Sequence, residues 1–168
     1  MSFFIVIRGP AGAGKSTIAR QVAAKLGTHY VSFDDVLAAH GLDVIEGDGI
    51  SAANFIKGNE QVLPEATAKL AAGVPVVFDG CFYRKEQLEH LESNLPGPHF
   101  VFSLQLPLEE CLRRNRLRPA PMPDGAVSAV YKMVGAVEIG EAVETIGKSA
   151  QQVAAEICQR VSGMEITP

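Results

Sequence analysis

The sequence has few cysteines, no long hydrophobic run and no excess of basic residues. Its three cysteines, Cys81, Cys111 and Cys158, lie far apart and form no C-x-x-C pair. This spacing argues against a disulfide framework or a structural zinc site and indicates a reducing compartment. The apolar run at 3–7 has five residues, too few for a membrane span, and the Arg-Gly that follows is unlike a signal peptide. We therefore expect a cytoplasmic protein that does not bind membranes.

The charge balance and the length limit the class of protein. Fifteen Lys and Arg residues against nineteen Asp and Glu give a formal net charge of −4. This balance argues against a protein whose main task is to neutralise a nucleic-acid backbone. A chain of 168 residues, 47% of them hydrophobic, is typical of one globular domain, and no repeat, low-complexity tract or linker interrupts it. We predict a single domain over residues 1–168.

Apolar runs of strand length alternate with helical patterns along the whole chain. We predict five strands, at about 3–7, 29–33, 75–78, 100–106 and 143–146. The predicted helices lie at 15–26, just after Asp34-Asp35, at 51–72 with an interruption near Pro64, at 84–95, at 107–118, from about 126 and from about 149. Residues 41–50 read as a loop. The alternation predicts an α/β fold, with a mostly parallel sheet and helices on both faces.

Residues 9–16, GPAGAGKS, carry the most specific motif. They fit the phosphate-binding pattern G-x-x-x-x-G-K-[ST] (Walker A), directly after a predicted strand and before a predicted helix. Glycines let successive N–H groups point at phosphate oxygens, and the helix N-terminus adds its positive dipole end. Lys15 can reach the β- and γ-phosphates, and Ser16 offers a hydroxyl to Mg²⁺. We predict that nucleotide binds to Gly9, Ala11, Gly12, Ala13, Gly14, Lys15, Ser16 and Thr17.

Asp79 is the second candidate for the nucleotide site. It ends a predicted strand, and the carboxyl ends of parallel strands face the nucleotide crevice in such folds. A carboxylate there can hold Mg²⁺ directly or through water, so Ser16 and Asp79 are the predicted metal-binding residues. A simple Asp-Gly turn after a strand is the alternative.

A cluster of arginines at 113–118 is the third candidate. Arg114 and Arg118 are four residues apart and share a helix face, so both can reach a transferring phosphoryl group, whereas Arg113 and Arg116 point elsewhere. The Pro-rich segment that follows suits a movable lid, which we place at about 114–125. The alternative is a basic helix end stabilised by the helix dipole.

These motifs together resemble those of the small P-loop kinases, in particular the polynucleotide-kinase, seryl-tRNA-kinase, chloramphenicol-phosphotransferase and zeta-toxin relatives. The resemblance extends over nearly the whole chain, and only the phosphate-binding loop is sharply specific. It implies a three-layer P-loop NTPase fold whose five parallel strands have the order 2-3-1-4-5. It also implies that the loop within 144–149 borders the adenine.

The same resemblance assigns a general base. In that family the first aspartate after the second strand accepts the proton of the acceptor hydroxyl, which here is Asp34. Asp35 is the alternative, either as the base or as a helix cap. The predicted catalytic residues are therefore Lys15, Asp34 and Arg118, with Arg114 binding the nucleotide.

The sequence departs from this family on the acceptor side. Polynucleotide kinases have an arginine three residues after the base, where this chain has Leu37. Residues 34–48 hold five acids and no Lys or Arg, so a nucleic acid is a poor acceptor. The side chains that can contact a small acceptor are Asp35, Arg84 and the aromatic residues Phe33, Phe55, Phe82 and Tyr83, and the aromatics are equally suited to the core.

We therefore predict an ATP- and Mg²⁺-dependent phosphotransferase that acts on a hydroxyl of a small neutral or cationic molecule. A nucleoside, nucleotide or RNA-end kinase is one alternative. A regulatory NTPase without kinase activity is another, although the chain lacks the N-K-x-D motif of GTPases.

Overall fold

The computed structural model describes residues 2–164, so Met1 and residues 165–168 lie outside it. The strands are β1 (Phe4–Arg8), β2 (His29–Ser32), β3 (Ile45–Glu46), β4 (Gly49–Ile50), β5 (Val76–Gly80), β6 (His99–Gln105) and β7 (Glu141–Glu144). The helices are α1 (Lys15–Leu26), α2 (Phe33–Ala39), α3 (Ala52–Ala71), α4 (Lys85–Asn94), α5 (Leu108–Arg116), α6 (Asp124–Gly135) and α7 (Ala150–Met164).

Five of the strands form one parallel sheet in the order β2-β5-β1-β6-β7. Strands β3 and β4 form a separate antiparallel hairpin. With the hairpin left aside, the order is second, third, first, fourth and fifth strand, and the predicted fold class is confirmed. Because the five strands are parallel, their carboxyl ends meet at one edge of the sheet, where α/β folds bind ligands.

Strand β1 lies at the centre of the sheet and is completely buried. Its side chains alternate between two hydrophobic layers: Ile5 and Ile7 pack in the layer formed by α1 and α7, whereas Phe4 and Val6 pack in the layer formed by α3 and α4. This two-sided burial explains the uninterrupted apolar run from Phe4 to Ile7. Helices therefore cover both faces of the sheet, as predicted.

Two details of the sequence-based prediction are wrong. Helix α3 continues through Pro64 without a break, since burial of Phe55, Val62 and Leu70 along one face outweighs the single hydrogen bond that proline cannot donate. The region 41–50 contains a hairpin rather than only a loop. The Gly47-Asp48 pair that joins its strands is a known hairpin signal, which the sequence analysis did not use.

The described helices can also be compared with the requirements of a bilayer. Between residues 2 and 164, none combines the length and the hydrophobicity that crossing a membrane requires.

Candidate functional site

A cleft of about 510 Å³ opens at the carboxyl edge of the sheet. It brings together residues that the sequence analysis selected separately: Ala11, Gly12, Gly14, Lys15, Ser16, Thr17, Asp34, Arg114 and Arg118. Of the predicted loop residues, Gly9 and Ala13 lie outside the lining. Ala13 is buried in the core, and a Cβ on Gly9 would lie 3.2 Å from Leu104 Cβ, so both pack the loop against the sheet.

The phosphate-binding loop, residues 9–16, depends on glycine at two positions. Gly12 and Gly14 both have φ of +83°, a conformation that other residues rarely adopt. A Cβ on Gly12 would also lie 2.6 Å from the carbonyl oxygen of Cys111, so the loop packs directly on the first turns of α5. Gly14 precedes α1, whose first free N–H groups open toward the cleft. This is the arrangement that binds an anion.

The side chain of Lys15 is buried along the loop. Its Nζ donates a hydrogen bond to the carbonyl oxygen of Pro10 at 2.9 Å. The ammonium group is therefore held over the loop, among the amides that would surround a phosphate chain.

Asp79 lies beneath the loop and is completely buried. Its Oδ1 accepts a hydrogen bond from Ser16 Oγ at 3.3 Å, and its Oδ2 accepts one from the hydroxyl of Tyr30. Burial raises the pKa of Asp79 above its usual value and, with the bond to this carboxylate, raises the pKa of Tyr30 to about 12. The Tyr30 contact could not be predicted from the sequence, because it depends on the register of β2 against β5.

The contact predicts how the Tyr30→Phe variant behaves. A hydrogen bond to an ionised group contributes about 1.5–3 kcal/mol, so we expect a loss of about 2 kcal/mol in the free energy of unfolding at pH 7. Because Asp79 has a raised pKa, the folded state binds its proton more tightly than the unfolded state, and stability falls as the pH rises through that pKa. Loss of the Tyr30 hydroxyl raises the pKa of Asp79 further. The variant's loss in free energy of unfolding should therefore be smaller at pH 4 than at pH 7. Urea unfolding in EDTA at the two pH values measures this, and equal deficits would contradict it.

The arginine cluster divides as the helix spacing predicts. Arg114 and Arg118 line the cleft, whereas Arg113 and Arg116 form ion pairs at the surface, with Glu110 at 2.7 Å and with Asp124 at 2.5 Å. Glu110 also accepts a 2.7 Å bond from Nε of Arg114. Its two arginine partners lower the pKa of Glu110 to about 2, so this carboxylate holds Arg114 in place over the whole range in which proteins are usually studied.

Asn115 fixes the segment that follows these arginines, a role that the sequence analysis missed. The side chain is completely buried. Its Nδ2 donates to the carbonyl oxygen of Met122 at 2.8 Å, and its Oδ1 accepts from the N–H of Met122 at 3.1 Å. Met122 itself lines the cleft. The amide therefore closes residues 116–122 into a defined loop beside the cleft.

We expect Asn115→Ala to loosen this loop. The change removes both hydrogen bonds to the half-buried backbone of Met122, at about 0.5–1.5 kcal/mol each, and it frees the segment that carries Arg118. Limited proteolysis with trypsin should then cut after Arg116 much faster than in the wild type. Asn94→Ala, which removes one exposed hydrogen bond on α4, is the control. Equal cleavage rates would contradict this role of Asn115.

Only some of the residues predicted to contact the acceptor line the cleft. Asp34 lines the cleft. Asp35 does not; its N–H is capped by Ser32 Oγ at 3.4 Å at the start of α2. Arg84 also lies outside the lining, since its Nε donates to the carbonyl oxygen of Ile50 at 3.1 Å. Of the aromatic candidates, Phe55 and Tyr83 line the cleft, whereas Phe33 and Phe82 are buried in the core.

The site contains oxygen ligands of the kind that Mg²⁺ prefers. The Ser16 hydroxyl and the Asp79 carboxylate are adjacent beneath the loop. Elsewhere in residues 2–164, no cluster of three or more His, Cys, Asp or Glu side chains could hold a metal ion.

Comparison with known proteins supports the fold. A sugar kinase from Janibacter sp. HTCC2649 superposes with a TM-score of 0.79 at 18% identity, covering 100% of this chain and 97% of that one. The tunicamycin resistance protein of Deinococcus radiodurans superposes with a TM-score of 0.70 at 22% identity, covering 96% of each chain. At these identities the likeness establishes a common fold.

Comparison of sequences establishes the family. A shikimate kinase from Actinobacillus succinogenes is 35% identical over 99 residues, which are 53% of this chain and 51% of that protein. The chain thus spans about half the length of the curated relative that it matches. The family model described as "AAA domain" matches residues 4–134. Because this match covers most of the chain, the protein belongs to that AAA domain family.

Proposed function

We propose that the protein is an ATP-dependent phosphotransferase that moves the γ-phosphoryl group to a hydroxyl of a small molecule. The observation that carries the proposal is the single cleft in which the phosphate-binding loop, Asp34 and two arginines all take part. A nucleotide needs the loop, and transfer to a second substrate needs a proton acceptor beside it. The kinase names of the curated relative and of a structural neighbour support the same reaction type.

The roles of the residues follow from their positions. The loop amides and Lys15 bind the β- and γ-phosphates, and Arg114 and Arg118 neutralise the charge that develops on the transferring group. Asp34 orients the acceptor hydroxyl and takes its proton. The acceptor oxygen forms a bond to the γ-phosphorus as the bond to the β-phosphate oxygen breaks, which releases ADP. Residues 114–125 close over the nucleotide, and the adenine lies against the turn at 145–149.

The reaction requires Mg²⁺, which Ser16 and Asp79 would hold. Ser16 is the last residue of the phosphate-binding loop, and its hydroxyl donates to the buried carboxylate of Asp79. This arrangement fits a pair of residues that would hold Mg²⁺ directly or through water. When bound, the ion neutralises charge on the β- and γ-phosphate oxygens. Tyr30 keeps the Asp79 carboxylate oriented toward Ser16.

The charge of the acceptor side favours a small molecule over a nucleic acid. Residues 34–48 carry five acids and no Lys or Arg, and a polyanion would be repelled there. The narrower kinship with the polynucleotide-kinase, chloramphenicol-phosphotransferase and zeta-toxin group stays a prediction from the sequence motifs.

The test is a thermal-shift screen in the presence of a Mg·ATP analogue, over antibiotics, sugars, nucleosides and oligonucleotides. A true acceptor should stabilise the protein only with nucleotide present, and with ATP it should release ADP and gain 80 Da of phosphate by mass spectrometry. The nucleoside-kinase alternative predicts nucleoside or oligonucleotide hits with a steep salt dependence. ATP hydrolysis that no candidate accelerates, with no phosphorylated product, would favour the regulatory NTPase instead.

A further inference from the structure

The two halves of the cleft differ in polarity. The loop half carries the cations Lys15, Arg114 and Arg118. The other half, which we call the acceptor pocket, is formed by the apolar or aromatic side chains of Leu37, Ile45, Ile50, Phe55, Tyr83 and Val130.

The only charged side chains in the lining of the acceptor pocket are carboxylates. These are Asp34 and Asp43, and among the described residues that line this half there is no Lys, Arg or His. An acid group that binds among these apolar side chains would therefore lie beside like charges.

Arg84 lies next to the pocket in the sequence but is not available to pair with an anionic acceptor. Arg84 follows Tyr83 directly, but its Nε is bonded to the carbonyl oxygen of Ile50 and its guanidinium lies 5.3 Å from the centroid of the Tyr83 ring. Binding an acidic acceptor would require Arg84 to leave both partners. Its position makes it a support for the hairpin and not an anion-binding residue.

The hairpin formed by β3 and β4 is fixed against the pocket. The N–H of Ile50 donates to the hydroxyl of Tyr83 at 2.8 Å. A Cβ on Gly49 would lie 2.8 Å from the same hydroxyl oxygen and 2.9 Å from Met133 Cε, so only glycine allows this close packing. The Tyr83 hydroxyl is therefore committed to the hairpin, and its ring is what faces the cleft.

The rim of the pocket carries an unpartnered apolar side chain. Ile45 of β3 lines the cleft and is 65% exposed. A large exposed aliphatic side chain at the edge of an apolar pocket is typical of surface that a ligand covers. Val44, its neighbour in the chain, is 52% exposed and lies outside the lining.

We propose that the acceptor is an alcohol with an apolar body and without phosphate, sulfonate or carboxylate groups. Phe55 and Tyr83 contact its apolar body, Ile45 covers it, and Asp43 excludes anionic alcohols. This inference rests on the proposed function, because it names the class of acceptor for the same cleft.

The test uses two dyes that differ by one charged group. N-phenyl-1-naphthylamine is uncharged, and 8-anilinonaphthalene-1-sulfonate is the same aromatic amine with a sulfonate. Both are titrated by fluorescence after calorimetry has established the concentration of a non-hydrolysable Mg·ATP analogue that saturates the loop half of the cleft, so that the sulfonate cannot bind to Arg114 and Arg118. We expect the uncharged dye to bind at least about tenfold more tightly than the sulfonate.

Matched variants locate the site. Ile45→Asp should weaken binding of the uncharged dye about tenfold, whereas Val44→Asp, on the same hairpin but outside the lining, should not. Asp43→Asn should reduce the ratio of the two dyes' affinities severalfold. Asp48→Asn, which changes another exposed aspartate outside the lining, should leave that ratio unchanged.

Three results would overturn the inference: no binding of the uncharged dye, sulfonate binding of equal or greater strength, or equal effects of each variant and its control. The calorimetry separates this from the proposed function. Binding of the Mg·ATP analogue without dye discrimination refutes the acceptor class alone. Dye discrimination without binding of the analogue refutes the phosphotransferase, and with it the assignment of the pocket to an acceptor.

Discussion

Asp34→Asn lowers the rate of phosphoryl transfer by about 10²- to 10⁴-fold, the range expected for loss of a general base. The amide has the shape of the carboxylate but cannot accept the hydroxyl proton. Asp34 is exposed in the first turn of α2, so the fold should lose at most about 1 kcal/mol from the weaker interaction with the helix dipole. Nucleotide affinity should be retained, because the loop is untouched. Single-turnover formation of phosphorylated acceptor measures the effect.

The neighbouring Asp35→Asn is the matched control. It makes the same chemical change in the same helical turn, at a side chain that lies outside the cleft lining. We expect its rate to stay close to that of the wild type. If Asp35→Asn were slow and Asp34→Asn fast, the two assignments would be exchanged, and the interpretation of the cleft would be wrong at its most important residue.

Lys15→Ala has the second large effect. Removing the buried ammonium takes away the only lysine in the cleft lining, and loss of one group that stabilises developing charge costs about 10²- to 10³-fold in rate. Binding of Mg·ATP should weaken as well, since Lys15 contacts the phosphates in the ground state. Calorimetry and the transfer assay measure the two effects.

Controls separate chemistry from folding in the Lys15 experiment. Lys15→Ala also removes most of a buried side chain. Lys15→Met loses the same hydrogen bond to Pro10 but keeps most of the side chain volume, so it should be equally inactive and fold normally. Lys25→Ala lies in the last turn of α1 and is exposed, so it should behave as the wild type. An active Lys15→Met protein would contradict the role assigned to the ammonium.

The fold and the loop half of the cleft could be predicted from the sequence because those features are local. The phosphate-binding loop needs particular residues at adjacent positions, and the strand-helix alternation follows from the spacing of apolar residues. The central strand β1 could be recognised for the same reason, since burial on both faces gives an unbroken apolar run from Phe4 to Ile7, before Arg8 ends the strand.

The rest depends on contacts between distant parts of the chain. The bond of Tyr30 to Asp79 joins residues on two strands, and its existence depends on their register. The closing of the loop at 116–122 by Asn115 depends on side-chain geometry that no motif encodes. The continuity of α3 through Pro64 was settled by tertiary packing, which outweighed local propensity.

The acceptor pocket could not be predicted from the sequence for the same reason. Its lining is assembled from α2, the hairpin, α3, the segment after β5 and α6. The individual residues are ordinary hydrophobic side chains, so sequence analysis could not separate Phe55 and Tyr83, which line the cleft, from Phe33 and Phe82, which are buried in the core.

The central claim is that the amides of residues 9–16 surround the phosphates of a bound nucleotide. A ¹H–¹⁵N correlation spectrum of the labelled protein, titrated with a non-hydrolysable Mg·ATP analogue, tests it directly. Saturable shifts should be largest at the amides of residues 12–17 and absent in helix α4, none of whose residues lines the cleft. An unchanged spectrum, or shifts that leave this loop unaffected, would contradict the account.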